Sequence, residues 1–418
     1  MVNRKQTPEL RSIDHIEFVK PQIFDITPWS KLFFMKEVPN ETSRVDLYFN
    51  AGSVRGNVGI ASIVNGLLLS GTDQLSSTEI HNQLDGLGAF YESNVGHENA
   101  TISIYALKEN MIQILHVLKN AIDKMAFSAQ EVEELISDRK QKFRVNLEKV
   151  SFLAQRQFQK EIFHDSPYGR IMEEQDYDSF SVSEMKNFYR ENYLNGLTKV
   201  VVVGDFTQDD IDAMIDLTGQ WSKEGPVEFE TTFQNKPGHT HVEKEDALQT
   251  AIRMGKILFN KSHPDFIDFQ VLNTILGDYF GSRLMSNIRE DKGYTYGIGS
   301  MSAELQETGY FLIATEVGKD VKDATLDEIK KEIERLRTDL VDQEELDLVK
   351  NYLLGQLLKS ADGPYSLIDL YMGLESFGLE LEFYNESIEA IKKITPERIR
   401  ELANQYLNWE DFSIVSAG

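Results

Sequence analysis

The 418-residue chain has no cysteine, fewer basic than acidic side chains and no long apolar run. Without cysteine it can form no disulfide bond, no thiolate zinc site and no cysteine nucleophile. Its 43 basic and 68 acidic side chains give a formal net charge of −25, and a field of that sign repels phosphate backbones. No apolar run approaches the roughly 20 residues of a membrane-spanning helix. These absences argue against nucleic-acid binding and against a membrane span.

The sequence has no nucleotide-binding glycine loop, and no signal peptide is visible in it. Residues Met1 to Pro8 lead into polar residues rather than an apolar segment, which predicts a cytoplasmic protein, or a periplasmic one if the N-terminus has been trimmed. Only His239 and His241 have the spacing of metal ligands, and no third ligand accompanies them. Hydrophobic residues make up 41% of the chain, which is enough to form globular cores.

The chain contains an internal repeat. Three short segments of the first half recur in the same order in the second half, at offsets that drift only from 205 to 213 residues. The matched pairs are Gly88–Tyr91 with Gly293–Tyr296, Glu134-Leu135 with Glu345-Leu346, and Ser183–Asn195 with Pro396–Asn408. Such a pattern indicates two copies of one structural unit.

These observations predict an α+β fold made of two homologous α/β domains, each a mainly antiparallel sheet with helices packed to one side. The segment 223–245 contains Gly-Pro and Pro-Gly pairs among polar residues, which is typical of a linker. We therefore expect an N-terminal domain over 1–222 and a homologous C-terminal domain over 246–418.

Local patterns place several elements of the first unit. Val45–Phe49 alternates as a strand, and the apolar residues between Ile60 and Leu68 have helical spacing. The sequence also predicts helices over Tyr105–Met125 and Gln130–Lys149, the second capped by Ser128.

In the second unit, the residues Ser282–Asp291 are predicted to form a helix that ends at a Gly293 cap. Tyr294, Tyr296 and Ile298 then alternate onto one face of a strand. On the residues alone, the simplest interpretation is structural: Arg289 complements the C-terminus of the helix, and the two tyrosines pack between helix and sheet.

The order of these elements resembles the pitrilysin/insulinase-type metallopeptidases (inverzincins) in their short bacterial form, from about Asp25 to Val415. The main landmarks are Gly59-Ile60-Ala61 before a helix, Gly71-Thr72 after it, and the Gly293–Tyr296 segment. The resemblance implies a peptidase-like fold over nearly the whole chain.

The zinc motif of that family, His-x-x-Glu-His, corresponds to Ser62, Asn65 and Gly66 in this chain, and the position of the distal glutamate ligand corresponds to Val145. A catalytic zinc site needs three imidazole or carboxylate ligands, and asparagine cannot act as the general base. The resemblance therefore implies that this chain binds no zinc at these positions and is not a peptidase on its own.

A second family feature is retained. Relatives carry an arginine and a tyrosine seven residues apart in the second half, and Arg289 and Tyr296 keep that spacing. The resemblance implies that they bind substrate by hydrogen-bonding the scissile carbonyl and the peptide backbone around it. The substrate-pairing edge strand of active relatives contains Asn-Ala-x-Thr, and the matching residues Tyr91–Asn94 depart from that pattern.

The resemblance as a whole implies a non-catalytic subunit of a heterodimeric zinc peptidase. This chain would bind no cofactor, would supply Arg289 and Tyr296, and would form half of a chamber for peptides. A partner subunit with an intact His-x-x-Glu-His motif would hold the zinc. Two alternatives remain open: a structural scaffold, like the core subunits of respiratory complexes that share this fold, and a peptide-binding homodimer without chemistry.

Overall fold

The computed structural model describes residues 13–36, 41–223, 225 and 233–418. The N-terminal residues on which the signal-peptide prediction rests lie outside these ranges. So do residues 224 and 226–232 of the predicted linker.

The first sheet has six strands in the order β1-β2-β6-β3-β5-β4 and is antiparallel except between β2 and β6. Its strands are β1 (Gln22–Thr27), β2 (Ser30–Lys36), β3 (Thr42–Phe49), β4 (Phe90–Val95), β5 (Ala100–Leu107) and β6 (Leu197–Gly204). The predicted strand Val45–Phe49 lies within β3, and Val45, Leu47 and Phe49 are fully buried on one face because side chains alternate along a strand.

The second sheet has five strands in the order β7-β11-β8-β10-β9 and is antiparallel except between β7 and β11. Its strands are β7 (Gly238–Val242), β8 (Gln249–Leu258), β9 (Thr295–Glu304), β10 (Gly309–Gly318) and β11 (Ser413–Ala417). Strand β7 lies within the segment 223–245 and is hydrogen-bonded to β11, so this part of the predicted linker belongs to the second sheet. The bounds 1–222 and 246–418 stay a prediction.

The two sheets have the same topology, which confirms the internal duplication. Strands β2-β6-β3-β5-β4 correspond in order and direction to β7-β11-β8-β10-β9, with the single parallel pair in the same place. Tyr193 precedes β6 and lies 5.1 Å from the ring of Phe49, while Tyr406 precedes β11 and lies 5.1 Å from the ring of Phe259. The two tyrosines therefore occupy equivalent places, and β1 is an addition to the first unit.

Each sheet carries most of the helices of its own half on one face. The helices of the first half are α1 (Ile60–Leu67), α2 (Ser77–Gly86), α3 (Lys108–Asp123), α4 (Ala129–Leu147), α5 (Val150–Phe163), α6 (Val182–Tyr189) and α7 (Gln208–Thr218). Those of the second half are α8 (Phe266–Leu276), α9 (Lys322–Thr338), α10 (Gln343–Ser360), α11 (Pro364–Glu375), α12 (Glu382–Lys393) and α13 (Pro396–Tyr406).

The opposite face of each sheet is covered by a helix from the other half. Helix α5 packs Phe158 against the second sheet beside Val415. Helix α11 packs Met372 against the first sheet beside Phe33. The expectation that helices lie on one side is therefore incomplete, because both layers of each sheet are needed to bury its two apolar faces.

Two local predictions have different outcomes. Ser128 caps α4, since its side chain accepts a hydrogen bond from Glu131 N at 3.3 Å. Tyr105 does not begin a helix: it lies in β5, and α3 begins at Lys108. No helix of the described residues is both long and apolar enough to cross a bilayer.

Candidate functional site

Helix α1 presents the three positions that correspond to the zinc motif. Ser62 is partly buried, Gly66 is exposed, and Asn65 is only 8% exposed. Asn65 Nδ2 donates to the hydroxyl of Tyr193 at 3.0 Å, and Asn65 Oδ1 accepts from Ser93 Oγ at 2.9 Å. Both ends of this amide are therefore hydrogen-bonded within the protein.

A neutral side chain suits the surroundings of Asn65. Tyr193 is fully buried, and burial raises the pKa of its hydroxyl, so this neighbour stays neutral. A carboxylate in place of the amide would bring an uncompensated charge into the same region, which is costly. Asn65 thus joins α1, β4 and the π-helix Arg190–Leu194, and it has no free group with which to activate water.

Helix α4 approaches the exposed Gly66 closely on one side. A Cβ atom at this position would lie 3.0 Å from the Leu135 side chain and 3.4 Å from Nη2 of Arg139. An imidazole here would need the Leu135 side chain to shift by a few tenths of an ångström, and it would lie near the cationic guanidinium of Arg139, which disfavours a metal cation. Val145 lies ten residues beyond Leu135 on α4, is 57% exposed and offers no ligand atom. These residues do not fit a zinc ion.

The described part of the chain holds no substitute metal site. Within it, no group of three or more histidine, aspartate or glutamate side chains is arranged to hold a metal ion. His239 and His241 lie on the edge strand β7, where the imidazole of His241 contacts Ser416 Oγ at 2.9 Å and Glu243 Oε2 at 3.2 Å.

Arg289 lies within the predicted helix, in which Met285–Asp291 form a π-helix. The buried residues Leu284 and Ile288 fix its inner face, and Asn287 donates to two glutamates of α9 at 2.7 and 2.8 Å. Gly293, with φ of +66°, follows the π-helix in the left-handed conformation expected of a C-terminal cap. Wider π turns are frequent at functional sites.

Tyr296 lies at a β-bulge near the start of β9, which is the edge strand of the second sheet. Ile298 pairs with Thr315 and Thr295 pairs with Val317, so two residues of β9 oppose one residue of β10. The extra residue reverses the alternation of side chains. Ile298 is buried as predicted, whereas Tyr296 is 93% exposed and does not pack between helix and sheet.

The bulge is held by hydrogen bonds. Gly297 N donates to Thr295 Oγ1 at 3.1 Å, and Thr315 Oγ1 donates to the carbonyl of Gly297 at 2.9 Å. Tyr296 lines a cavity of about 330 Å³ together with Arg253 and Glu316. The exposed phenol is therefore presented by an ordered backbone.

The guanidinium of Arg289 lies 4.6 Å above the ring of Phe280, an aromatic residue that is itself 64% exposed. No carboxylate of the described residues forms an ion pair with Arg289, so its charge stays available to a ligand. The π-helix packs against β9, which brings the elements of Arg289 and Tyr296 together. Phe280 has no distinguishing pattern in the sequence, because it is a single phenylalanine in a short loop.

These features define a homologue of two-domain zinc metallopeptidases whose residues at the zinc-motif positions do not fit a zinc ion. The chain belongs to peptidase family M16. The family model described as insulinase (peptidase family M16) matches residues 32–175, which include α1, and the model described as peptidase M16 inactive domain matches residues 179–353.

Relatives and solved structures agree with this assignment. The chain is 23% identical to an uncharacterized zinc protease of Rickettsia felis, covering 83% of this chain and 84% of the relative. It is 22% identical to the non-peptidase homolog YmxG of Helicobacter pylori, covering 89% and 88%. It is 21% identical to the mitochondrial-processing peptidase subunit beta of Saccharomyces cerevisiae, covering 91% and 87%. The crystal structure of a peptidase M16 inactive domain from Pseudomonas fluorescens superposes with a TM-score of 0.86 at 23% identity, covering 96% and 98% of the two chains.

Proposed function

We propose that this chain is the non-catalytic subunit of a heterodimeric zinc peptidase. A partner subunit with an intact His-x-x-Glu-His motif holds the zinc and hydrolyses peptides. This chain supplies half of the enclosing chamber, and Arg289 and Tyr296 bind the peptide around the scissile bond.

The observation that carries the proposal is the presentation of Tyr296. A tyrosine with a structural role would bury its ring, but this one is 93% exposed on a hydrogen-bonded bulge of an edge strand. Bulges often redirect a side chain beside an active site. Arg289, on the adjoining π-helix, adds a charged donor without a carboxylate partner among the described residues.

The chemistry of the pair suits the role. A guanidinium and a phenol both donate hydrogen bonds to a peptide carbonyl, and they stabilise the oxyanion that develops during hydrolysis more strongly than the neutral substrate. Neither residue needs to change its protonation state. The pair therefore supports hydrolysis that is initiated by a metal on another chain.

The first half supports a non-catalytic role. Both ends of the Asn65 amide are hydrogen-bonded, and Gly66 and Val145 offer no ligand atom. The name of the Helicobacter pylori relative, a non-peptidase homolog, agrees with this role. The similarity to a subunit of a processing peptidase supports a partnered arrangement.

The test begins with purification of the complex from the native organism, followed by reconstitution with the zinc-bearing subunit that co-purifies. Arg289→Ala and Tyr296→Phe should each leave assembly intact and lower kcat by about 10²-fold, the scale of losing one oxyanion donor. A loss mainly in kcat indicates a contact that tightens in the transition state, and a rise mainly in KM indicates an anchor.

Matched controls come from the first half. Arg190→Ala removes an exposed arginine from the equivalent kind of element, the π-helix Arg190–Leu194, and Tyr105→Phe removes a partly exposed hydroxyl from β5. Both controls should retain full activity. If Arg289→Ala and Tyr296→Phe both form an intact complex with wild-type activity, the chain is a scaffold only.

A further inference from the structure

Phe280 lies on the loop between α8 and the π-helix Met285–Asp291. It is 64% exposed, although a phenylalanine ring gains much by burial. Its ring lies 4.6 Å below the guanidinium of Arg289, within the range of a cation–π contact. The largest apolar side chain of this loop is thus next to the charged group of the proposed peptide-binding site.

Neighbouring side chains anchor this loop on both sides of Phe280. The ring of Tyr279 lies 5.3 Å from that of Tyr352 on α10. Arg283 forms two hydrogen bonds with the carboxylate of Glu345, also on α10, at 2.8 and 2.9 Å. The exposure of Phe280 is therefore imposed by an anchored backbone, as expected for a residue that meets a ligand.

The loop that carries Phe280 also packs closely against the second sheet. Gly277 approaches β9 so closely that a Cβ atom would lie 2.5 Å from Ser300 Oγ, and its carbonyl accepts a hydrogen bond from Ser300 N at 3.1 Å. The loop is therefore attached to the same strand that carries Tyr296. Phe280, Arg289 and Tyr296 are thus carried by three connected and rigid elements.

We propose that Phe280 positions Arg289 and also forms the apolar contact for a side chain of the bound peptide. The inference rests on the proposed function and names its substrate class: peptides with a bulky apolar or aromatic residue near the scissile bond. The cation–π contact restricts the guanidinium, so less freedom is lost when it binds a carbonyl. The exposed part of the ring remains available to a side chain of the peptide.

The experiment measures kcat/KM of the reconstituted complex on matched fluorogenic peptides that carry either Phe or Ala at one residue beside the scissile bond. Phe280→Ala should lower kcat/KM by about tenfold for the Phe peptide, the scale of losing one apolar contact, and by less for the Ala peptide. Phe280→Trp should restore the preference, since it keeps the aromatic face. If Phe280 has a purely structural role, Phe280→Ala should not change the ratio of kcat/KM between the Phe peptide and the Ala peptide.

Phe90→Ala is the matched control, because Phe90 is a similarly exposed phenylalanine on the edge strand of the first sheet and should leave the ratio unchanged. An unchanged ratio in Phe280→Ala, or an equal loss on both peptides, overturns the inference. If Phe280→Ala gives either of these results while Arg289→Ala is strongly impaired in the same assay, only the role of Phe280 is overturned and the proposed function stands. If Arg289→Ala is fully active, both the inference and the proposed function fall.

Discussion

At the scale of single residues, the loss of the zinc site is more than a missing set of ligands. Asn65 is part of a hydrogen-bonded chain from Ser93 to Tyr193, and Leu135 and Arg139 lie close to Gly66 on one side. Each change suits the others, because a neutral amide, a buried phenol and a close-packed helix pair require no charge compensation. Restoring the motif therefore means rebuilding its surroundings.

We expect the wild-type chain, and also the triple variant Ser62→His, Asn65→Glu and Gly66→His, to contain far less than one zinc per molecule. The triple variant should also be less stable, since it overpacks α1 against α4 and places a carboxylate beside Tyr193. Metal analysis after dialysis and thermal unfolding measure the two effects. Ser62→His alone is the control and should change stability by less than about 0.5 kcal/mol, because Ser62 is only partly buried. One chelator-removable zinc per chain would contradict this view.

At the scale of elements, the sequence predicts those strands, caps and turns that are determined by residues close together in the chain. The strand around Leu47, the cap at Ser128 and the left-handed Gly293 each depend on a few neighbouring residues, and all are found. The bulge at Tyr296 depends on how β9 pairs with β10. The packing of α5 against the second sheet depends on which apolar sheet face is left without helices of its own half. A periodic pattern within one segment cannot reveal either. The helix predicted from Tyr105 starts too early, because Ala106 to Glu109 all have high helix propensity whereas pairing with β3 keeps Tyr105–Leu107 in β5.

The turn between β4 and β5 contacts both the segment that precedes α1 and the second half of the chain. The carbonyls of His97 and Glu98 accept hydrogen bonds from Val54 N and Gly52 N at 3.0 and 3.2 Å. The Glu98 carboxylate accepts from the Tyr168 hydroxyl at 2.8 Å and from Gln306 N of the second half at 3.0 Å. This short element therefore holds the start of the α1 segment and touches the other domain.

This turn should make stability depend on pH. Burial lowers the pKa of His97 below its usual value of about 6.5, against a smaller opposite effect of Glu98. At a pH between the lowered pKa of His97 in the folded chain and its usual pKa in the unfolded chain, the unfolded chain binds more protons than the folded one. The free energy of unfolding should therefore fall as the pH decreases below about 6.5, by at most about 1.4 kcal/mol per unit.

Urea unfolding at pH 7 and pH 5 measures this effect, and His97→Gln should show a smaller difference between the two values than the wild type. His239→Gln, which changes an exposed histidine of β7, is the control and should keep the wild-type difference. An identical pH difference in His97→Gln and the wild type would assign the dependence to other groups.

At the scale of the whole molecule, the two halves exchange helices. Phe158 of α5 lies in the apolar layer of the second sheet, and Met372 of α11 lies in that of the first sheet. An ion pair adds to the second contact, because the guanidinium of Arg44 on β3 bridges Asp46 of the same strand and Asp369 of α11. Each domain thus completes its core with a helix from the other, which favours cooperative unfolding of the whole chain.

This exchange predicts that the halves stay together after the chain is cut. A protease site introduced between Ser222 and Lys236 should give two fragments that co-elute on gel filtration in buffer and separate only in denaturant. Each fragment alone would expose one apolar sheet face and one apolar helix face to water, and removing those faces from water holds the pair together. The cut chain carrying Phe158→Ala and Met372→Ala is the comparison. It should dissociate at a lower urea concentration, because each buried truncation costs about 2–5 kcal/mol. Fragments that separate in buffer alone would mean that each half folds independently of the exchanged helices.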